Sequence, residues 1–344
     1  MSMSLRAGLF LSATALAAAV PALVAQQPAP YTVASRIPLP GEGGWDYLII
    51  DAAARRLYVS HATKIDVIDL NTNAPLGAVE GLTGAHGGTA AGGHIFATSG
   101  RTDEVVVADA KTFAVTDRLK TGAKPDAILY DAASGRVFSF NGDGQNATAI
   151  DAATAKVVGT IPLGGAPEFA APDGKGHVFV NIEDKGELVE FDAKKLEVLR
   201  RVKLEGCDEP TGLAIDRSRD RLFSVCHNKV MVIVDSKSLK LLQTLPIGSG
   251  VDGAAADSVT GAAFASNGDG TITMVVPDGK AYSVKATIPS APRARTIALD
   301  PMTRKIYVAT AEFGEAPAPT EKEPRPRPPM KPGTFAVVVM EPAK

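Results

Sequence analysis

Short apolar runs separated by turn residues recur along this chain at a steady interval. Each unit opens with a strand-like run ending in Asp, as in Trp45-Asp46-Tyr47-Leu48-Ile49-Ile50-Asp51 and Pro125-Asp126-Ala127-Ile128-Leu129-Tyr130-Asp131. The same pattern returns at Pro210 to Asp216, Val251 to Asp257 and Ala294 to Asp300, and more weakly at Pro167 to Asp173. Its most degenerate copy lies around His86 to Ala91, where Gly84 to Gly93 holds five glycines and no closing Asp. A turn and a second apolar strand follow each copy: Leu57-Tyr58-Val59-Ser60, Val137-Phe138-Ser139-Phe140, Leu222-Phe223-Ser224-Val225. A third strand ends in another Asp, and a fourth reads like Val157-Val158-Gly159-Thr160-Ile161-Pro162-Leu163. Runs rich in Val, Ile, Phe and Tyr, bounded by Gly, Pro, Asn and Asp, predict strands. No stretch carries a helical period.

The closing aspartates measure the repeat. Asp131, Asp173, Asp216, Asp257 and Asp300 are 42, 43, 41 and 43 residues apart, and Asp69, Asp109, Asp151, Asp192 and Asp235 are 40, 42, 41 and 43 apart. Four short strands in a period of 40 to 45 residues predict the blades of a β-propeller. Seven copies of about 42 residues account for residues 31–344 once a Pro-rich stretch, Gly314 to Gly333, is set aside as an insertion. The expected fold is therefore all-β: a seven-bladed propeller of four-stranded blades, forming a single domain over 26–344. The last unit stops after Phe335 to Met340 without an outer strand, while Tyr31-Thr32-Val33-Ala34-Ser35-Arg36-Ile37-Pro38-Leu39 reads like one. The N-terminal strand is expected to complete the last blade, which would leave no open edge at the seam.

Several segments also resemble the YVTN-repeat propellers, specifically the exported YncE-like group. These are Tyr58-Val59-Ser60-His61, Phe179-Val180-Asn181 and Phe264-Ala265-Ser266-Asn267, with Cys207 to Ala214, Ser224 to Lys229, Ser266 to Thr271 and Ala294 to Asp300. The resemblance covers essentially the whole chain after residue 25. It implies the propeller fold and an exported location. It implies little about activity, because that group is largely without an assigned reaction.

The first 25 residues read as a signal peptide. Arg6 is followed by the apolar run Leu9 to Val24, and a small residue, Ala25, stands at the expected cleavage point. The alternative is a membrane anchor, but 16 residues is short for a span of about 20. After cleavage no apolar run is long enough to cross a membrane, so a periplasmic or secreted monomer is expected. Without Arg6 the chain carries 35 basic against 38 acidic residues, a formal net charge of −3. With no basic run, a dedicated nucleic-acid surface is not expected.

Strands alternate in direction, so the loops before the first strands and after the second strands share one face. One position per blade crowds the axis there: Asp46, His86, Asp126, Glu168, Thr211, Asp252 and Arg295. The neighbouring loops add His61, Arg101, Asn141, Asn181, His227, Asn267 and Thr310. Converging polar groups at a channel mouth are the default candidate for a ligand site. At any single position Asp or Asn can instead simply build its own turn. The acids suit a hard cation and His86 would suit zinc, but no compact metal-ligand motif is present, and the metal content is left open. No cofactor motif and no Gly-x-Ser-x-Gly elbow occurs. Cys207 and Cys226 fall in neighbouring loops of blade 5, where an oxidising compartment and the topology favour a disulfide over two buried thiols. The insertion, dense in proline, is expected as an extended loop on the polar face, either a flap, a docking segment or a solvated excursion.

The expected function is a non-catalytic binding or scaffold protein, with a small molecule, peptide or protein on the channel face. One alternative is a lactonase-like hydrolase using the channel acids and a divalent metal, which rests on fold analogy. The other is single-stranded nucleic-acid binding, which the acidic ring opposes.

Overall fold

The computed structural model describes residues 30–318, 320, 326 and 328–343. The segment 1–25, expected as a signal peptide, and part of the Pro-rich insertion lie outside these residues. Seven four-stranded antiparallel sheets account for all 28 described strands, and the only helix among the described residues is a single turn at Glu183–Lys185. Among the described residues no helix is long and apolar enough to cross a membrane.

Each blade follows from its burial pattern. Second and third strands are covered on both faces by the neighbouring blades, so they read as continuous apolar runs rather than alternating ones. Leu57, Tyr58 and Val59, like Val105, Val106 and Val107, are almost wholly buried. Outer strands meet solvent and leave Val157, Val158 and Leu199 exposed. The core is accordingly not one mass but seven apolar wedges, one between each pair of adjacent blades. Deleting a large side chain from such a wedge costs about 2–5 kcal/mol, because the rigid blades cannot collapse around the cavity.

The strand-ending aspartates recur because they build turns. Asp69 Oδ1 accepts the amides of Asn71 and Thr72 at 2.7 and 2.8 Å, and Asp109 Oδ1 does the same for Lys111 and Thr112. An irregularity in the pairing of the outer two strands falls at the same place in every blade, from Val67/Ile68 in blade 1 to Val33/Ser35 in the last. Such bulges bend a strand and increase its twist.

The ring closes as expected. Tyr31–Pro38 pairs antiparallel with Ala336–Pro342, so the last blade takes its outer strand from the start of the described chain. Two inner strands are clearly shorter than expected, and the first of them, read from Trp45, runs only over Leu48–Asp51. The glycine-rich copy in blade 2 forms a strand at its expected place, Ala85–Ala91. A side chain at Gly88 would bring its Cβ within 2.9 Å of Ile65 Cγ2, so glycine here lets blades 1 and 2 approach. Conversely the last inner strand, expected over Ala294 to Asp300, is reduced to Ala298–Leu299. Its upstream part turns instead, with Arg293 in the left-handed region at φ 61° and the Arg295 carbonyl accepting the Gly253 amide of blade 6.

Candidate functional site

Six of the seven axial positions come together at one mouth of the channel. His86 Nδ1 stands 2.8 Å from Asp46 Oδ2 and 3.2 Å from Asp126 Oδ1. The hydrogen bond of Nδ1 is to Asp46, and Asp126 Oδ1 is buried without one. Across the axis Arg295 reaches Asp252 Oδ2 at 3.1 Å and Asp46 Oδ1 at 3.8 Å. Glu168 accepts from the Tyr47 hydroxyl at 2.9 Å. The seventh position, Thr211, is buried, and its hydroxyl bonds the Val225 carbonyl of its own blade.

The backbone at three of these positions is held by the preceding blade in the ring. Thr98 Oγ1 donates to the Asp126 carbonyl at 2.7 Å, Asn181 donates to the Thr211 carbonyl at 2.8 Å, and Thr296 Oγ1 donates to the Asp46 carbonyl at 2.6 Å. The Tyr47 amide bonds the His86 carbonyl at 3.0 Å. The mouth is thus a rigid frame rather than a set of free loops.

Crowding four carboxylates against two bases shifts their protonation. Burial, then the Asp46 charge, pushes Asp126 up to about 6, with His86 and Lys124 opposing. Burial pushes Asp252 up to about 7, against Arg295 and with Asp46 and Asp126. Glu168 is driven well above the usual carboxylate range by burial and the charges of Asp126 and Asp252. Burial pulls His86 down, but the hydrogen bond to Asp46 and the charges of Asp126 and Asp46 outweigh it, so its pKa is raised. The mouth therefore holds protons where ordinary carboxylates would be ionised.

The second set of expected site residues is placed differently. His61, Asn141, Asn181 and Asn267 have no exposed surface. His61 bonds Asp66 at 3.2 Å and packs on Phe335, and Asn141 bonds Asn146 and Thr148 at 2.7 and 3.0 Å. Asn267 bonds Thr271 and Thr273 at 3.0 and 3.1 Å. Their amides and ring tie the second strand to the third, or one blade to the next, and none reaches the channel. Thr310 is likewise turned inward, donating to the Pro292 carbonyl. Of this set His227 and Arg101 are exposed. His227 pairs with Glu209 at 2.6 Å beside the Cys207–Cys226 disulfide, which pins two rim loops. Among the described residues two groups have ligand atoms close enough together to share a metal ion: Asp46, His86 and Asp126 on the axis, and Glu183, Glu209 and His227 on the rim.

The stem of the Pro-rich insertion lies on this face. Phe313 pairs with Met330, sits 6.1 Å from the Trp45 ring, and carries the Arg293 guanidinium 4.0 Å above it. Trp45 also stacks on Phe335, which makes it a packing residue of the seam.

Tyr47 is the important residue absent from the sequence-level site. It starts in blade 1 but packs in the wedge between blades 3 and 4, with its ring 4.3 Å from Phe169. It therefore crosses the axis as a floor under the charged mouth. Beneath it the channel opens into a cavity of about 520 Å³, lined by the inner strands down to Asp51, Pro172 and Pro301.

No known family profile matches the chain, and no curated protein matches it in sequence. Solved structures match in fold. A chain from the crystal structure of the mitotic checkpoint complex has a TM-score of 0.74 at 12% identity, covering 97% of this chain and 100% of that one. U3-55K gives 0.71 at 9% identity, covering 90% and 98%. Kuenenia stuttgartiensis hydrazine synthase gives 0.68 at 14% identity, covering 78% and 94%. In all, 1724 solved chains match, and proteins this different sharing one architecture establish a seven-bladed propeller and nothing about its ligand.

Proposed function

We propose that this chain is an exported binding protein, of the YncE-like kind its strands resemble, whose channel mouth seats a positively charged group. Asp126 carries the proposal: its Oδ1 is buried with no hydrogen bond, inside a ring of four acids and two bases. A buried carboxylate oxygen left unsatisfied costs free energy. An incoming cation would satisfy it and favour the ionised forms of Asp126 and Asp252, which the mouth otherwise holds back. The mouth offers no positive groove with stacking aromatics, which disfavours nucleic acid. A disulfide in blade 5 is compatible with an oxidising, exported location.

A hydrolase is supported by one observation, the convergence of Asp46, His86 and Asp126 on a point where a metal could activate water. The two functions separate in one experiment. Titration calorimetry with spermidine, Zn²⁺ and citrate in two buffers of different ionisation enthalpy measures both binding and proton exchange. Near pH 6.5 the binding function predicts saturable uptake of spermidine with release of about one proton, loss of binding in Asp126→Asn and Asp252→Asn, and no citrate binding. Spermidine uptake without proton release, or uptake unchanged in both variants, would remove the ring as the site. Zn²⁺ uptake alone, abolished by His86→Ala, would favour the hydrolase.

A further inference from the structure

We infer that the lower channel is a second and separate ligand site, for an uncharged molecule with an apolar body and a hydroxyl or carbonyl group. The cavity of about 520 Å³ falls in the size range of small-molecule sites. None of the six charged mouth residues lines it. Tyr47 and Phe169 stand between the two compartments, with the Tyr47 hydroxyl tied to Glu168. Its walls are half-buried apolar side chains: Ile49, Leu129, Phe169, Ile215 and Leu299.

The only ionisable carboxylate in the wall is Asp51, at the far end, and its Oδ1 is occupied by the Ala53 and Ala54 amides at 3.0 and 2.9 Å. An anionic ligand would be desolvated there without a partner. Hydrogen bonding is nevertheless available. Each inner strand pairs on one side only, so its other edge presents peptide groups to the channel. These free strand edges are the feature that asks for a hydrogen-bonding group on the ligand.

The test uses the full chain after residue 25 and N-phenyl-1-naphthylamine, an uncharged probe that fluoresces in apolar surroundings. Saturable one-site binding is expected, weakened at least tenfold in Ala170→Phe and in Ala256→Phe, each of which fills the cavity from a different blade. Thermal melting of each variant reports whether it is folded, and either folded variant suffices. Asp126→Asn and Asp252→Asn should bind the probe unchanged, which separates this site from the mouth. The sulfonated analogue 1-anilinonaphthalene-8-sulfonate should bind at least tenfold more weakly. Absence of saturable binding, full affinity in a folded filled variant, equal affinity for the sulfonate, or loss on Asp252→Asn alone would overturn the inference.

Discussion

Arg55 and Asp300, 245 residues apart in the chain, meet through two hydrogen bonds of 2.7 Å across the seam between the first and last blades. Asp300 is fully buried, and Arg55 is 15% exposed. Burial alone would raise the Asp300 pKa. The hydrogen bonds from Arg55, Thr303 and the Met302 amide outweigh it and hold the carboxyl down at about 2. Removing one partner leaves the other charge buried and alone. Arg55→Ala should therefore cost about 3 kcal/mol in denaturant unfolding, and the double variant with Asp300→Asn should cost less than the two single losses together. A depressed carboxyl stabilises the fold above its unfolded pKa and loses that contribution as pH falls towards 2. The difference between Arg55→Ala and the parent should accordingly shrink between pH 4 and pH 2.

The channel mouth should show the opposite sign. Asp126 and Asp252 sit at about 6 and about 7, so they keep protons in the fold that the unfolded chain gives up near pH 4. Their folded pKa values are raised. The stability they contribute is present at low pH and is lost as pH rises through 6 and 7. His86, also raised, acts in the same direction. Unfolding measured from pH 8 down to pH 5 should show a gain on the order of 2 kcal/mol, flattened in Asp252→Asn. A profile that is flat or rises towards pH 8 would contradict this account of the mouth.

Gly212 is fixed by its neighbours. A Cβ there would stand 2.6 Å from the Asp252 carbonyl oxygen and 2.6 Å from the Ala254 amide nitrogen, both backbone atoms of the next blade. Gly212→Ala should destabilise by about 1–3 kcal/mol or more and should displace Asp252. Cation binding in the variant should weaken more than the melting temperature alone would suggest.

The Cys207–Cys226 disulfide closes a short loop of 19 residues' separation. Replacing both cysteines with alanine should cost about 3 kcal/mol in non-reducing unfolding, and dithiothreitol should bring the parent to a similar stability. Because the bond pins the loops carrying Glu209 and His227, spermidine binding at the axial ring should change little.

How much of this was legible in the sequence depended on which contacts repeat. The blade count, the closing strand and the turn-building aspartates were legible because each recurs at a fixed interval, and the same local physics recurs with it. The blade 2 inner strand carries the weakest repeat signal because its glycines serve contacts with Ile65 and Ile128 of neighbouring blades, which no local pattern reveals. The last inner strand reads longer than it is because the Arg295 carbonyl is drawn to the Gly253 amide of blade 6. At the site, position along the strand correctly drew Asp46, His86, Asp126, Glu168, Asp252 and Arg295 to one mouth. It could not separate them from His61, Asn141, Asn181 and Asn267, since polar residues at strand ends look alike whether they face the axis or the next strand. Tyr47 was invisible as a floor, because its partner Phe169 lies three blades on.

The joining of Tyr31–Pro38 to Ala336–Pro342 has a consequence in time. Of the described strands, the earliest to be synthesised is the one that must wait longest for its partner. Blades 1 to 6 can each be assembled from contiguous chain as it emerges. The seventh cannot exist until synthesis has passed Ala336–Pro342, and until then Tyr31 and Ile37 have no wedge to enter. Pairings this remote in sequence form late. A chain cut short before Ala336 would carry six finished blades, a stranded first segment and an unsealed ring, so the fold itself registers whether synthesis has reached that strand.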